Sequence, residues 1–298
     1  MCSAALVLAA RPSSDVFFTK PSKILEDLRG IRDYERVVIC DIAVPETRTE
    51  DVLATLRELS SSSRDLLYID HHPLPEGFVA PDFFIHSTRA CASELTYGEF
   101  KCQIPKDMSR IAIYGAIGDY IDNTELIQLL LLDWDKRTLY FESGLLNQGL
   151  DNIRHDYDFK RRVVAELSRN MLPSSDDALV RAAIEQTFHE EEMRNEIAKQ
   201  VKTLGKIAYV LNIKGSLGKA AIYARAETGL KIGIAGEEEG ESIDMSLRTT
   251  EEGMDLNRIL RRVAPSFGGT GGGHPKAAGA IIPADKFQLF IRALDGAT

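Results

Sequence analysis

No stretch of the 298 residues is long and apolar enough to cross a membrane, so no membrane partner is expected. The short apolar run at 4–10 has no basic residues ahead of it and reads as a core helix, not a signal peptide. Cysteine is scarce. Cys2, Cys40, Cys91 and Cys102 show no C-x-x-C spacing, and Cys40 falls in a buried-looking strand, so reduced thiols and a cytoplasmic location are expected. Positive charge is also short, with 36 Lys and Arg against 45 Asp and Glu for a formal net charge of −9. A protein that holds long nucleic acid through many phosphates usually shows a basic surface. Small phosphorylated substrates, or the end of a short single strand, therefore fit better than a long duplex. Internal repeats and low-complexity tails are missing, which excludes repeat architectures.

What is present suits a soluble α/β protein: 44% apolar and 27% charged residues, with enough length for two domains that each bury a core. The first half alternates short apolar strands with helical stretches, the pattern of a parallel sheet flanked by helices. Strands are expected at 16–18, 37–40, 66–69 and 83–85, and helices at 24–28, 52–59 and 92–100. Ser93 and Glu94 open the last of these, where capping accounts for them. Residues 155–203 read as a charged helical connector, with an oxygen-bearing cap at 173–177. Beyond it, strands at 207–213, 231–235, 243–247 and 277–282 and helices at 256–263 and 287–294 make a smaller α/β domain with a mixed sheet. The expected division is 1–154, 155–203 and 204–298.

The chemistry-bearing residues cluster. Asp41 follows the 37–40 strand and Asp70-His71-His72 follows 66–69, so acidic groups emerge at the carboxyl ends of adjacent strands, where open α/β sheets bind ligands. Asp119, in Gly118-Asp119-Tyr120, ends the apolar stretch 111–117. Any one of these aspartates alone is explained as a helix or turn cap. Carboxylates with imidazoles suit Mn²⁺ or a similar divalent ion and lack the thiolates of structural zinc sites. Downstream, the glycine-rich 268–273 with His274 and Lys276 reads as an anion-gripping loop, and Arg248 ends a strand with the side chain best shaped for bidentate phosphate contact. A flexible turn and a surface cation are the plain alternatives for these two. His86, His155 and His189 show no partner pattern and read as structural or surface residues.

On these motifs the chain resembles the DHH–DHHA1 phosphoesterases, the superfamily of RecJ-type exonucleases, oligoribonucleases and cyclic-dinucleotide phosphodiesterases, and most of all its stand-alone archaeal-type members. Residues 38–42 match the second motif, Asp70-His71-His72 the third and Gly118-Asp119 the fourth, while 271–274 match the signature of the accessory domain. The accessory domain separates this group from family II pyrophosphatases. The resemblance implies a two-ion site for Mn²⁺, or Mg²⁺ or Co²⁺ in its place. In it Asp41 bridges both ions, His71 and Asp119 bind the second, Asp70 orients from behind, and His72 faces the scissile phosphate. Asp41, His71, His72 and Asp119 are the implied catalytic set. Arg248, His274 and the backbone of Gly271, Gly272 and Gly273 hold the nucleotide phosphate from the second domain. The implied activity is metal-dependent hydrolysis of short oligonucleotides or small nucleotides.

The family's first motif, His-x-Asp-x-Asp-Gly, does not occur in these residues, and 2–8 resembles the helix that follows it in the family. The expectation is a start placed at an internal methionine of a longer protein, favoured over a degraded member, with two ions reduced to one or none in the chain as written. Two rivals stand beside hydrolysis: a nucleotide-binding or regulatory protein, and a single-strand exonuclease, against which the acidic balance counts. A dimer is the one assembly put forward, and the sequence does not fix the oligomeric state.

Overall fold

The computed structural model describes residues 1–298 except 33, 62–64 and 154. The expected boundary after residue 154 therefore lies at a position outside the described residues. The chain forms two compact units, Met1–Glu185 and Gln186–Thr298.

In the first unit the order is α1 (Cys2–Ala10), α2 (Ile24–Gly30), β1 (Arg36–Cys40), α3 (Thr49–Ser61), β2 (Asp65–Asp70) and β3 (Phe84–His86). Then come α4 (Ala92–Phe100), α5 (Ser109–Gly118), α6 (Glu125–Leu130), α7 (Lys136–Ile153), α8 (Tyr157–Ser168) and α9 (Asp177–Gln200), the last running into the second unit. β2 is the central strand of an all-parallel sheet, with Val38 facing Leu67 and Ile69 facing Ile85. Its near-continuous apolar run is what a parallel strand covered on both faces requires. α1 is apolar all round, which forces burial, and Ala5 and Leu6 are fully inaccessible beside Ile111, Ala112 and Tyr114 of α5. α4 and α5 cross so closely that a Cβ on Gly115 would lie 2.2 Å from Ser93 Oγ. Ser93 Oγ donates to Ala112 O at 2.9 Å across that crossing. The cap of α4 is Cys91, whose Sγ accepts from Glu94 N, so Ser93 and Glu94 do not cap it as expected.

The strand expected at 16–18 does not form: this segment belongs to no helix or strand and pairs with no strand among the described residues. Val16 and Phe18 pack on the helical core while Phe17 stays 72% exposed. Its alternation reflects one-sided burial against helices and no ladder.

The second unit adds β4 (Lys202–Leu204), β5 (Ile207–Leu211), α10 (Leu217–Thr228), β6 (Ile232–Glu239), β7 (Ser242–Thr249), α11 (Leu256–Val263), β8 (Thr270–Gly273), β9 (Ala277–Pro283) and α12 (Phe287–Ala297). The sheet order is β4-β5-β6-β7-β9-β8, mixed because β5 and β6 are parallel and the other pairs antiparallel. Alternation along β5 sorts two cores. Ile207 and Tyr209 pack with α11 and α12, while Ala208 and Val210 pack with α10 and the end of α9. A Cβ on Gly233 would lie 1.8 Å from Ala221 O, so glycine admits α10 onto the sheet. Of the glycines expected to form a loop, Gly271, Gly272 and Gly273 lie instead in β8, where pairing with β9 satisfies their backbone, while Gly268 and Gly269 precede it. Side-chain-free strand also fits under α11: a Cβ on Gly271 would meet Leu260 Cβ at 3.0 Å.

Candidate metal centre

Parallel pairing of β1 with β2 brings Asp41 beside the end of β2, and the Asp41 N–H continues the ladder to Ile69 O at 2.9 Å. Asp41 takes a left-handed backbone, φ 63°, which turns the chain out of the strand. His71 is buried and points its Nε2 at two carboxylates, 3.3 Å from Asp41 Oδ1 and 3.9 Å from Asp119 Oδ2. Asp119 is the C-cap of α5, so strand ends and a helix end converge on one imidazole nitrogen. Asp70 is fully buried. Its Oδ1 lies 2.8 Å from His72 Nδ1, and its Oδ2 has no hydrogen-bond partner among the described residues. Donor atoms of Asp41, Asp70 and His72 all lie within 4.8 Å of one another.

Asp41, Asp119 and His71 offer the carboxylate oxygens and imidazole nitrogen that suit a divalent ion of the Mn²⁺ or Mg²⁺ kind, with Asp70 and His72 close beside them. Burial pushes Cys2 and Cys40 up to about 12, which favours their protonated form over thiolate. The electrostatics carry the mark of crowded anions. Burial and then the Asp41 charge raise Asp119 to about 6. Although burial opposes it, the hydrogen bond and charge of Asp41 lift His71 above the ordinary histidine value. Against its own burial, the same hydrogen bond holds Asp41 below the usual carboxylate range. Next to Asp41 and Asp119 lies a cavity of about 170 Å³, lined also by Cys2, Ser93, Tyr114 and Asn147.

One participant escapes sequence reasoning. His86 ends β3 opposite Asp70, and its Nε2 lies 2.7 Å from His72 O. Because a carbonyl only accepts, Nε2 must carry the ring proton. The only available signal was its place at a strand end beside the Asp70 strand.

In the second unit, register places Arg248 of β7 opposite Ala277, beside the tight turn closed by His274 N–H to Ala277 O at 2.9 Å. Arg248 Nη1 donates to Ser246 Oγ and Leu247 O at 3.0 and 2.8 Å. Gly218, in the first turn of α10, admits the guanidinium: a Cβ there would lie 2.5 Å from Arg248 Nη2. The expected backbone grip is partly spent, since Gly273 N–H donates to Asn257 Oδ1 at 3.0 Å. Arg248 thus faces Ala277, the residue that closes the turn at His274, while Gly271, Gly272 and Gly273 pair as strand with β9.

Residues 207–298 match the DHHA1 domain. Two solved structures share the fold along 99% of this chain. One is the pGpG-specific phosphodiesterase PggH from Vibrio cholerae, 15% identical, with 94% of that chain covered and a TM-score of 0.62. The other is RecJ from Thermus thermophilus in complex with Mn²⁺, 16% identical, with 49% of that chain covered and a TM-score of 0.68. At such identities the likeness is one of fold. An uncharacterized protein of Methanocaldococcus jannaschii is 32% identical over 111 residues, which are 36% of this chain. The chain spans about a quarter (25%) of the length of that curated relative.

Proposed function

We propose that this chain, a DHH–DHHA1 protein by its C-terminal domain and its fold, is a metal-dependent phosphodiesterase acting on short oligonucleotides or small nucleotides. The observation that carries the reading is the convergence of Asp41 and Asp119 on His71 Nε2 at the carboxyl edge of a parallel sheet. PggH is a pGpG-specific phosphodiesterase and a structure of the exonuclease RecJ is bound to manganese, which supports both the substrate class and the ion.

Asp41, His71 and Asp119 would hold the ion, His71 with its proton on Nδ1 so that Nε2 could offer its lone pair. A divalent ion there supplies positive charge that polarises a phosphoryl oxygen and stabilises charge as the ester bond breaks. Asp70 fixes the His72 ring through Nδ1, and His72 then meets the scissile phosphate. His86 holds the His72 backbone from behind. Arg248 and His274 take a nucleotide phosphate, Arg248 through a guanidinium set by Ser246.

The test is release of mononucleotides from a linear dinucleotide and from a nucleoside 3′,5′-bisphosphate in Mn²⁺, with Asp41→Asn beside the wild type. Turnover that the substitution abolishes supports the reading. Tight nucleotide binding without turnover would favour the regulatory alternative, and a product ladder from a long strand the exonuclease. A second expectation concerns His86. His86→Ala lowers turnover by roughly 10–100-fold, the scale of losing an outer partner that holds a site residue in place, and His86→Gln restores part of it. Equal activity of the alanine variant would remove His86 from the site.

A further inference from the structure

Among the described residues, the non-glycine positions with left-handed backbone are Asp41, Tyr120, Asn170 and Asn212. Aspartate and asparagine tolerate that region because their short side chains bond locally, but a bulky aromatic is a true outlier there. Tyr120, at φ 57°, is that outlier.

Its position explains the φ but not the residue type. Tyr120 follows the C-cap of α5, and the helix closes with Tyr120 N–H to Ile117 O at 3.2 Å and Ile121 N–H to Ala116 O at 2.9 Å. This is the Schellman arrangement, whose left-handed residue is usually glycine. The protein closes α8 the same way with Asn170, through Asn170 N–H to Leu167 O and Met171 N–H to Glu166 O. It ends α10 on Gly229, at φ 69°. Only the α5 closure, among these, carries a ring. Packing does not hold the ring in place, because Tyr120 is 79% exposed. Phe17 and Phe141 are also exposed, at 72% and 62%, but neither has this backbone. The strained tyrosine directly follows Asp119, one of the two carboxylates facing His71 Nε2. Strain that nothing in the fold repays, next to a candidate site, points to a ligand contact.

We propose that the Tyr120 ring is a platform on which a nucleobase of the substrate stacks while its phosphate is held at Asp41, His71 and Asp119. This rests on the phosphodiesterase reading and deepens it by assigning the base contact. A ring face accepts any base, so the contact selects nucleotides over base-free phosphoesters and is tolerant of which base is present.

The experiment compares wild type with Tyr120→Phe, Tyr120→Asn and Tyr120→Gly. The readouts are Mn²⁺ affinity, thermal unfolding, and binding and hydrolysis of a dinucleotide and of its abasic counterpart. The asparagine and glycine variants are expected to bind the dinucleotide roughly 5–100-fold more weakly, the usual scale of one lost base stack. They should keep wild-type affinity for Mn²⁺ and for the abasic diester, and melt at or above the wild-type temperature because their backbones suit the turn. The phenylalanine variant should behave as wild type. A melting point that drops by more than about 4 °C in both asparagine and glycine variants would show that the ring serves the fold and overturn the proposal. So would an equal loss on both diesters, or wild-type binding with no preference for the base-bearing one. Base-dependent binding lost in Tyr120→Asn, with no turnover by any variant, would uphold the stack while refuting hydrolysis.

Discussion

Asp41→Asn is expected to cut Mn²⁺-dependent turnover by on the order of 10³-fold or more while leaving the protein folded. Asparagine keeps the shape of the side chain and also tolerates the left-handed backbone at this position. What it removes is the charge that His71 Nε2 faces at 3.3 Å and that adds to the elevation of Asp119. With it gone, the pull that raises His71 relaxes, and Asp119 ionises more readily. The change therefore weakens ion holding without leaving a new buried charge, and thermal stability in the ion-free protein should change little. Turnover at saturating Mn²⁺ within tenfold of wild type would remove Asp41 from the ligand set.

Apparent Mn²⁺ affinity is expected to fall by at least tenfold per pH unit as the pH drops below about 6, since each ligand must lose its proton before it binds. The sign follows from the two raised groups. Asp119, lifted to about 6 by burial and the Asp41 charge, begins to take up a proton there. His71 is already cationic at a higher pH than an ordinary histidine, because the attraction of Asp41 outweighs burial. Both protons oppose the ion in the same direction. Affinity is thus full on the alkaline side of both groups and lost as the pH falls through them. Calorimetric Mn²⁺ titrations between pH 5 and 8 read this directly, and a flat profile would contradict the assignment of His71 and Asp119. In Asp119→Asn the fall should become shallower by one proton.

Much of this centre was legible in the residues. A strand that ends in an acid reads clearly, so Asp41 and Asp70 could be placed at adjacent strand ends, and parallel pairing put them there. The 256–263 helix read correctly because its apolar spacing matches the face it buries, Leu256, Leu260 and Val263, whereas the 92–100 helix forms as expected although it also buries Ser93, Glu94 and Thr96. α10 did not read, because its Leu217-Gly218-Lys219 start and alanine-rich body give no strong stripe. Its glycines at 218 and 229 serve the Arg248 approach and the helix stop. β8 was read as a loop since three glycines carry no strand preference, and only the neighbouring β9 gives them one. Segment 16–18 erred the other way, because its alternation marks burial against helices. His86 and Tyr120 were beyond sequence reasoning for a different reason. One acts through a hydrogen bond to a backbone carbonyl and the other through a backbone angle, and neither leaves a residue pattern.

The most direct test is anomalous diffraction at the manganese edge from crystals of the protein soaked in Mn²⁺. A peak is expected within ligand distance of His71 Nε2 and the carboxylates of Asp41 and Asp119. No peak at those three side chains, with manganese bound elsewhere or not at all, would contradict it.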